Sequence, residues 1–151
     1  MTESKSIPVA NMQKRIFAFV MDDLIIAMFF MIIFYDQISQ LFGNVTEIDQ
    51  ASLEQVNMFI TENVLIVLAI KILYHTILVW QNGMTIGKYI AKIKVIDLNS
   101  EHRPSFQQAF LRASIRLISE ALFYVGFVVA FFSPLKQTWH DKFSHCVVID
   151  V

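Results

Sequence analysis

Three long runs of apolar residues dominate the pattern along the chain. They cover residues 16–35, 64–80 and 114–132. None alternates apolar and polar residues as a strand does, and about 20 helical residues cross the roughly 30 Å core of a bilayer. A soluble bundle would need a polar face on each helix, and residues 24–34 offer none. The pattern predicts an integral membrane protein embedded in a lipid bilayer, with hydrophobic helices at about 15–35, 52–81 and 106–133.

Two short segments have the pattern of strands instead. Residues 92–97 (KIKVID) alternate and are rich in β-branched residues, and residues 146–151 (CVVIDV) are similar. Because a lone strand leaves its backbone groups open, we expect the two to pair as a small sheet. The fold class is therefore an all-α membrane protein, a small helical bundle with a minor two-stranded β element.

The third apolar run leaves two alternatives open. A simple third span would put the C-terminus outside the cell, whereas pairing of the two strands puts it in the cytoplasm. The second arrangement requires a re-entrant or bent hairpin around Gly126, which is tolerated where protein buries the backbone.

Composition narrows the class of protein further. Of the 151 residues, 56% are hydrophobic and 17% are charged, and the formal net charge is -1. These values exclude intrinsic disorder and give no basis for a nucleic-acid partner. The single cysteine, Cys146, excludes a disulfide scaffold and is expected to be a small buried residue. The histidines lack the spacing of a metal site, and no residue pattern calls for a cofactor.

Basic residues are distributed unevenly between the predicted loops. Eight lysines and arginines lie before the first run or in residues 81–113, whereas residues 36–62 have none and carry several acidic residues. The positive-inside rule then places a tail of residues 1–14 and the 81–113 segment in the cytoplasm. The predicted location is the cytoplasmic membrane, with several spans.

The acidic segment is expected to contain the start of the second helix. Ser52 to Gln55 has capping-box spacing, and apolar residues follow at helical intervals. We expect this helix to begin near Ser52 and to protrude before it enters the membrane. A disordered acidic loop is the alternative.

Six ionisable residues lie inside the apolar runs, all in the cytoplasmic half by helical rise: Asp22, Asp23, Lys71, His75, Arg116 and Glu120. Such residues are costly in a membrane and indicate function. Their spacing favours convergence between the helices, because each of the following sets shares one helical face: Arg15 with Asp22, Lys71 with His75, and Arg112 with Arg116 and Glu120. A carboxyl group balanced in this way could load and release a proton or a monovalent cation. Alternatively, opposite charges on neighbouring helices only fix the register of the bundle.

Other motifs carry less chemistry. Gly83 to Lys88 is one residue too short between its glycines for a phosphate-binding loop, lacks Ser or Thr after the lysine and follows no strand. His140, Asp141 and His145 are interpreted as interfacial polar residues, with Trp139 at the depth of the headgroups. No nucleophile and base stand in a defensible order, so we do not expect an enzyme.

Several short motifs, taken in order, resemble the RDD family of membrane proteins. They are Arg15-x2-Ala18-x3-Asp22, Gly83-x-Thr85-x-Gly87-Lys88, Ile93-Lys-Val95-x-Asp97, Arg103-Pro104 with Arg112, and Trp139-His140-Asp141. The resemblance covers one membrane domain, residues 15–151, and implies that the arginine and two aspartates of the family name are Arg15, Asp22 and Asp141. It departs at residues 143–146 and in the long external segment. The family resemblance implies a multi-pass protein that is often associated with transport, including cation/proton exchange.

We therefore expect a homo-oligomeric membrane protein that transports or exchanges a small cation or proton. The ion-handling candidates are Arg15, Asp22 and Asp141. The supporting polar cluster comprises Asp23, Lys71, His75, Arg112, Arg116 and Glu120. The alternative function is a non-transporting scaffold or accessory subunit that binds a partner protein.

Overall fold

A computed structural model describes residues 8–43, 49–122 and 128–151. Two of its helices are long, and three shorter helices and two strands pack around one end of them. In chain order, the elements are α1 (Met12–Ile33), α2 (Tyr35–Gly43), α3 (Gln50–Asn82), α4 (Ile86–Ile90), β1 (Ile93–Asp97), α5 (Phe106–Ala121), a 3-10 turn (Val129–Phe132), α6 (Trp139–Phe143) and β2 (Cys146–Asp150).

Two helices, α1 and α3, are long and apolar enough to cross a membrane. Only 17% of the most apolar window of each is buried by the rest of the protein. The core helix of a soluble domain would be mostly covered, so these apolar faces are suited to lipid. Both helices begin and end within three residues of the predicted 15–35 and 52–81. At 1.5 Å per residue α3 is about 50 Å long, which exceeds the bilayer core and agrees with a protruding end.

The N-terminal cap of α3 differs from the prediction. Asp49, not Ser52, is the N-cap, and the backbone N–H of Ser52 donates to its carboxylate at 2.8 Å. Ser52 occupies the third helical position and accepts from the Asp49 N–H, which completes a capping box. The helix does begin close to Ser52, as predicted. Ser52 is the third helical residue of the capping box, however, because Asp49 takes the N-cap position.

The acidic segment also contains a helix that the charge pattern did not predict. Residues Tyr35–Gly43 form α2 directly after α1, and none of them is buried. This part of the segment was predicted to be external from its lack of basic residues, and its apolar spacing was not used to predict a helix. Residues 44–48, which include Glu47, lie outside the described part of the chain.

The third apolar run is not confirmed as a third hydrophobic helix. The predicted helix at 106–133 begins correctly at Phe106 but ends at Ala121, with Leu122 out of helical conformation. A 3-10 turn covers Val129–Phe132. The proposed bend at Gly126 falls within residues 123–127, which the structure does not describe. Polar and charged side chains on one face of α5 make it amphipathic, and that face packs against α3 and α6.

The predicted pairing of the two strand segments is confirmed. β1 and β2 are antiparallel, with Val95 opposite Val148. On the other edge of β2, Val9 forms a bridge with Ile149, and the Ala10 N–H donates to the Val148 carbonyl at 3.0 Å. β2 is therefore covered on both edges, which leaves few backbone groups open.

The sheet closes one end of the helical bundle. Gly83 ends α3 at a positive φ of 72°, and its carbonyl accepts from the Val95 N–H of β1 at 2.7 Å. A small apolar core joins the sheet to the helices: Ala10, Ala18, Val79, Ala91, Ile93, Val95, Ala109, Cys146 and Val148. The prediction that Cys146 is buried is thus confirmed. The N-terminal segment, the segment after α3 and the C-terminal strand all lie at this end.

Candidate functional site

The carboxylate of Asp141 lies at the centre of a buried ion-pair network. One oxygen, Oδ2, accepts from Nη1 of Arg15 at 3.1 Å. The other, Oδ1, accepts from Nε of Arg112 at 2.9 Å and from Nη2 of the same guanidinium. Asp141 is 1% exposed, and both arginines are also buried. Two guanidinium groups therefore share one carboxylate in a site that is buried from bulk solvent.

The local sequence explains how α6 presents Asp141. Thr138 begins this short helix and Asp141 occupies its third position, so the backbone N–H of Thr138 donates to the carboxylate at 3.2 Å. An acidic residue is favourable in the first turn because free N–H groups lie there. The same carboxylate thus caps its own helix and binds α1 and α5.

Arg15 also connects parts of the chain that are distant in sequence. Besides Asp141, its guanidinium donates to the carbonyl of Lys136 at 2.5 Å and to that of Val148 at 3.0 Å. A planar guanidinium can bind several oxygens in fixed directions, which lysine cannot do. Arg15 therefore holds α1 against the segment before α6 and against β2.

The carboxylate of Asp22 is held by a second set of donors. Oδ1 accepts from the Tyr74 hydroxyl at 2.9 Å and from the Gly87 N–H at 2.8 Å. Oδ2 accepts from the Thr85 hydroxyl at 2.6 Å and lies 3.6 Å from Nζ of Lys88. Asp22 is fully buried. These bonds attach the first apolar helix to α3 and to α4.

The start of α4 forms the cradle for this carboxylate. Thr85 is the N-cap of the helix, and Gly87 lies so close to α1 that an added Cβ would be 2.8 Å from the Asp22 carboxyl carbon and would collide with the Ala18 carbonyl. Glycine is required here by the close approach of two backbones. The segment that we rejected as a nucleotide-binding loop instead binds a carboxylate of its own chain.

A third group of charges joins the three longest packed helices. Lys71 of α3 lies 2.7 Å from the Glu120 carboxylate and 3.5 Å from that of Asp23. Arg116 lies 3.0 Å from Glu120 and 3.6 Å from Asp23. Its guanidinium also lies over the ring of Phe19 at 4.5 Å. Charged side chains of α1, α3 and α5 therefore converge, and α1 contributes Asp23 rather than Asp22.

Lys88 occupies a position between these groups. It is buried, and its ammonium donates to the Thr85 hydroxyl at 3.3 Å. Burial, together with the nearby positive charges of Arg112 and Arg116, lowers the pKa of Lys88 to about 7. The Asp22 carboxylate opposes part of this shift. The pKa of Asp141 is also lowered: burial alone would raise it, but Arg112 and Arg15 hold it well below its usual range.

We call these residues together the buried charge cluster. It contains five cations and four carboxylates: Arg15, Lys71, Lys88, Arg112 and Arg116, with Asp22, Asp23, Glu120 and Asp141. With every group ionised it carries one excess positive charge. Loss of the Lys88 proton would neutralise the cluster.

The structure brings the predicted site residues together in two places. Arg15 and Asp141 form a direct ion pair, whereas Asp22 lies in the neighbouring cradle. Sequence reasoning missed four partners of Asp22, listed from the helix outward as Tyr74, Thr85, Gly87 and Lys88. The available signal was that a buried carboxylate needs several donors, and the Gly-x-Thr-x-Gly-Lys segment supplies them.

The interpretation of His140, Asp141 and His145 as interfacial was wrong for the first two. His140 is 5% exposed and Asp141 is 1% exposed, because α6 packs its first turn against α5. Burial lowers the pKa of His140 well below its usual value. A polar residue in a tail looks interfacial when its buried partners on other helices are unknown.

These features define a class: a membrane protein whose two apolar helices meet a buried, ion-paired cluster at a sheet-closed end. A family model described as the RDD family matches residues 9–145, and the chain belongs to that family, whose members are membrane proteins. The resemblance seen in the motifs is thereby confirmed. Searches of curated proteins and of solved structures gave no match.

We expect Gly87→Ala to prevent normal folding, because the methyl group has no space between the Ala18 carbonyl and the Asp22 carboxyl group. The measurement is the yield of monodisperse protein in detergent and its Tm. Gly43→Ala is the matched control, since nothing lies within 4 Å of the added atom. Equal behaviour of the two variants would show that α1 and α4 are not so close.

We expect Asp141→Asn to lower the free energy of unfolding by about 3–5 kcal/mol, because Arg15 and Arg112 would be left buried without their carboxylate. Asp150→Asn removes an exposed partner of Lys14 and should cost at most about 1 kcal/mol. Thermal unfolding in the same detergent compares them. A cost at Asp141 no greater than at Asp150 contradicts the central role of the network.

Proposed function

We propose that the protein exchanges protons for a small monovalent cation across the cytoplasmic membrane through the buried charge cluster. The observation that carries the proposal is the pair formed by Asp22 and Lys88, a buried carboxylate and a buried ammonium 3.6 Å apart. Arg15 and Asp141 would fix the geometry around this pair. The family resemblance, which is associated with such exchange, agrees with this choice.

Lys88 suits the role of the proton carrier. A lysine with a pKa of about 7 exchanges its proton at the pH of a cell, which an ordinary lysine does not. When Lys88 is neutral, the Asp22 carboxylate loses its cationic partner but keeps three donors. That carboxylate is then the natural ligand for a small cation, so proton release and cation binding would be linked.

The proposed sidedness follows from the distribution of basic residues. The N-terminal segment, the segment after α3 and the C-terminal strand share one end of the bundle through the sheet. The basic residues of the predicted cytoplasmic segments, so far as the structure describes them, lie at this end, so we place it in the cytoplasm. The N-terminus and C-terminus would then both be cytoplasmic.

We also propose that the third apolar run enters the membrane and returns to the same side. Phe106, at the start of α5, contacts Trp80 near the end of α3. Lys136, beyond the run, contacts Arg15 near the start of α1. Both ends of the run therefore lie at the sheet end, which supports re-entry rather than a complete crossing.

A homo-oligomer is part of the proposal. The apolar windows of α1 and α3 are mostly uncovered, and the two helices make few contacts with each other. Two spans do not enclose a polar path by themselves. Neighbouring copies would complete one while lipid covers the outward faces.

A second candidate function, a non-transporting scaffold or accessory subunit, is favoured by a different observation. Asp141 accepts from two guanidinium groups and one backbone N–H, and so satisfies its oxygens within the chain. Such a network can orient helices without moving an ion. This candidate requires a protein partner that co-purifies in fixed proportion.

The titration of Lys88 should appear in the stability of the protein. The unfolded chain holds this proton up to a pH near 10.5, whereas the folded chain releases it near 7. Between these values the unfolded state binds more protons, so stability should rise with pH, by at most about 1.4 kcal/mol per pH unit. Below pH 7 this contribution should be flat.

Lys88→Met tests that assignment because it keeps a side chain of similar length and removes the titratable amine. The Tm in detergent, measured from pH 6 to about pH 9, should rise for the natural protein and much less for the variant. The control Lys142→Gln, on the exposed side of α6, should keep the rise. A rise that survives in Lys88→Met would assign the titration to another group.

Proton-coupled cation flux in proteoliposomes tests the function. We expect the natural protein to move protons when an alkali-cation gradient is imposed, and Asp22→Asn and Lys88→Met to fall to the level of protein-free liposomes. Lys142→Gln should retain flux. Comparable reconstitution of all variants is checked by size-exclusion chromatography.

The absence of flux from the natural protein with every alkali cation and at every pH would overturn the exchange proposal. A stoichiometric protein partner, lost together with protein level in Asp22→Asn, would then favour the scaffold.

A further inference from the structure

Two small cavities lie inside the buried charge cluster. One has a volume of about 30 Å³ and is lined by Arg15, Asp141 and apolar residues of α1 and β2. The other, of about 20 Å³, lies between α3, α4, α5 and α6. The two share four wall residues: Lys88, Arg112, Arg116 and His140.

The lining of the smaller cavity is cationic. Three of its eight lining residues are basic, two are histidines, and the other three are small or apolar: Lys88, Arg112 and Arg116; His75 and His140; Val79, Ala109 and Ala113. No carboxylate is among them. A cation would be repelled here, so this cavity is not the cation site suggested by Asp22.

A buried donor in this lining has no hydrogen-bond acceptor among the residues that the structure describes. Nδ1 of His75 lies 3.3 Å from Nη1 of Arg116, and a guanidinium can only donate, so Nδ1 is the acceptor. The ring hydrogen is then on Nε2, which has no partner within the described chain. His75 is 6% exposed, and a buried N–H without an acceptor is costly.

The charge balance of the cluster also favours an anion. The buried charge cluster has one more cation than carboxylates when Lys88 is protonated. A single monovalent anion would neutralise it and would accept from the unpartnered His75 N–H. In a site shielded from water its attraction to the surrounding cations is much stronger than in solution.

We propose that the smaller cavity is a binding site for one halide ion, such as chloride, held by the Lys88 ammonium, the Arg116 guanidinium and the Nε2–H of His75. A volume of about 20 Å³ exceeds the 10–15 Å³ that one water molecule needs, so the cavity has space for one small ion. The inference goes beyond the proposed cation exchange and does not depend on flux.

Halide binding should depend on pH because Lys88 contributes only in its protonated form. The charged and titratable groups that face Lys88 come from four elements packed around it: Arg15 and Asp22 of α1, Tyr74 and His75 of α3, Arg112 and Arg116 of α5, and His140 and Asp141 of α6. A bound halide favours the protonated ammonium. Halide affinity should therefore fall as the pH rises above neutrality.

The experiment measures Tm of the purified natural protein in detergent at constant ionic strength, with chloride or bromide replacing gluconate or sulfate. We expect a saturable rise of about 2–5 °C with halide and none with the larger anions. The rise should be smaller at pH 9 than at pH 6. Equal Tm in halide and gluconate at all concentrations would overturn the proposal.

Variants separate the site from general effects of salt. His75→Leu removes the unpartnered donor and should abolish the halide-dependent rise, whereas His75→Gln keeps an N–H donor and should retain most of it. Lys142→Gln removes an exposed cation from α6 and should leave the rise unchanged. A rise that persists in His75→Leu would show that halide binds elsewhere.

A crystal soaked in bromide gives a readout that does not depend on stability. An anomalous peak bounded by Lys88, Arg116 and His75 is expected, and bromide peaks confined to the surface would refute the site. Proteoliposome flux distinguishes the two proposals. Halide binding without flux would support the halide site and overturn cation exchange. Flux without halide binding would support cation exchange and overturn the halide site.

Discussion

The constraint on which this structure depends is that a carboxylate inside an apolar bundle must find donors within the protein. Asp141 and Asp22 each lie buried, and each is bound by groups from at least two other elements. Removing a charge from water is costly unless its partners replace the lost hydrogen bonds. The two carboxylates therefore determine where α4, α5 and α6 dock against α1, and the small sheet closes the end that they define.

This arrangement separates the molecule into two parts with different solvents. The outward faces of α1 and α3 remain apolar and uncovered, as lipid requires. The sheet end gathers nearly all buried polar groups, and its apolar core consists mostly of small residues such as Ala18, Ala109 and Cys146. Small side chains let the backbones approach, which brings Gly87 against Asp22. Close packing and charge pairing thus reinforce each other.

Much of the fold could be predicted because its signals are local. The length of the first two apolar runs predicted α1 and α3, and β-branched alternation predicted the pairing of β1 with β2. Helical spacing predicted that Lys71, Arg116 and Glu120 would share a site. The end of α5 at Ala121 could not be predicted, since the run stays apolar beyond it and hydrophobicity alone does not mark where a helix ends.

The sequence by itself determined the solvent of the two long helices, the strand pair, the family and the set of charged residues that must be satisfied internally. Tertiary structure alone decided which of these charged residues bind each other. Arg15 and Asp22 share one helical face, yet Arg15 binds Asp141, 126 residues away, while Asp22 binds the start of α4. Helical periodicity fixes the direction of a side chain along its own helix. The partner depends on which distant backbone approaches, and this follows only from the packing of the whole chain.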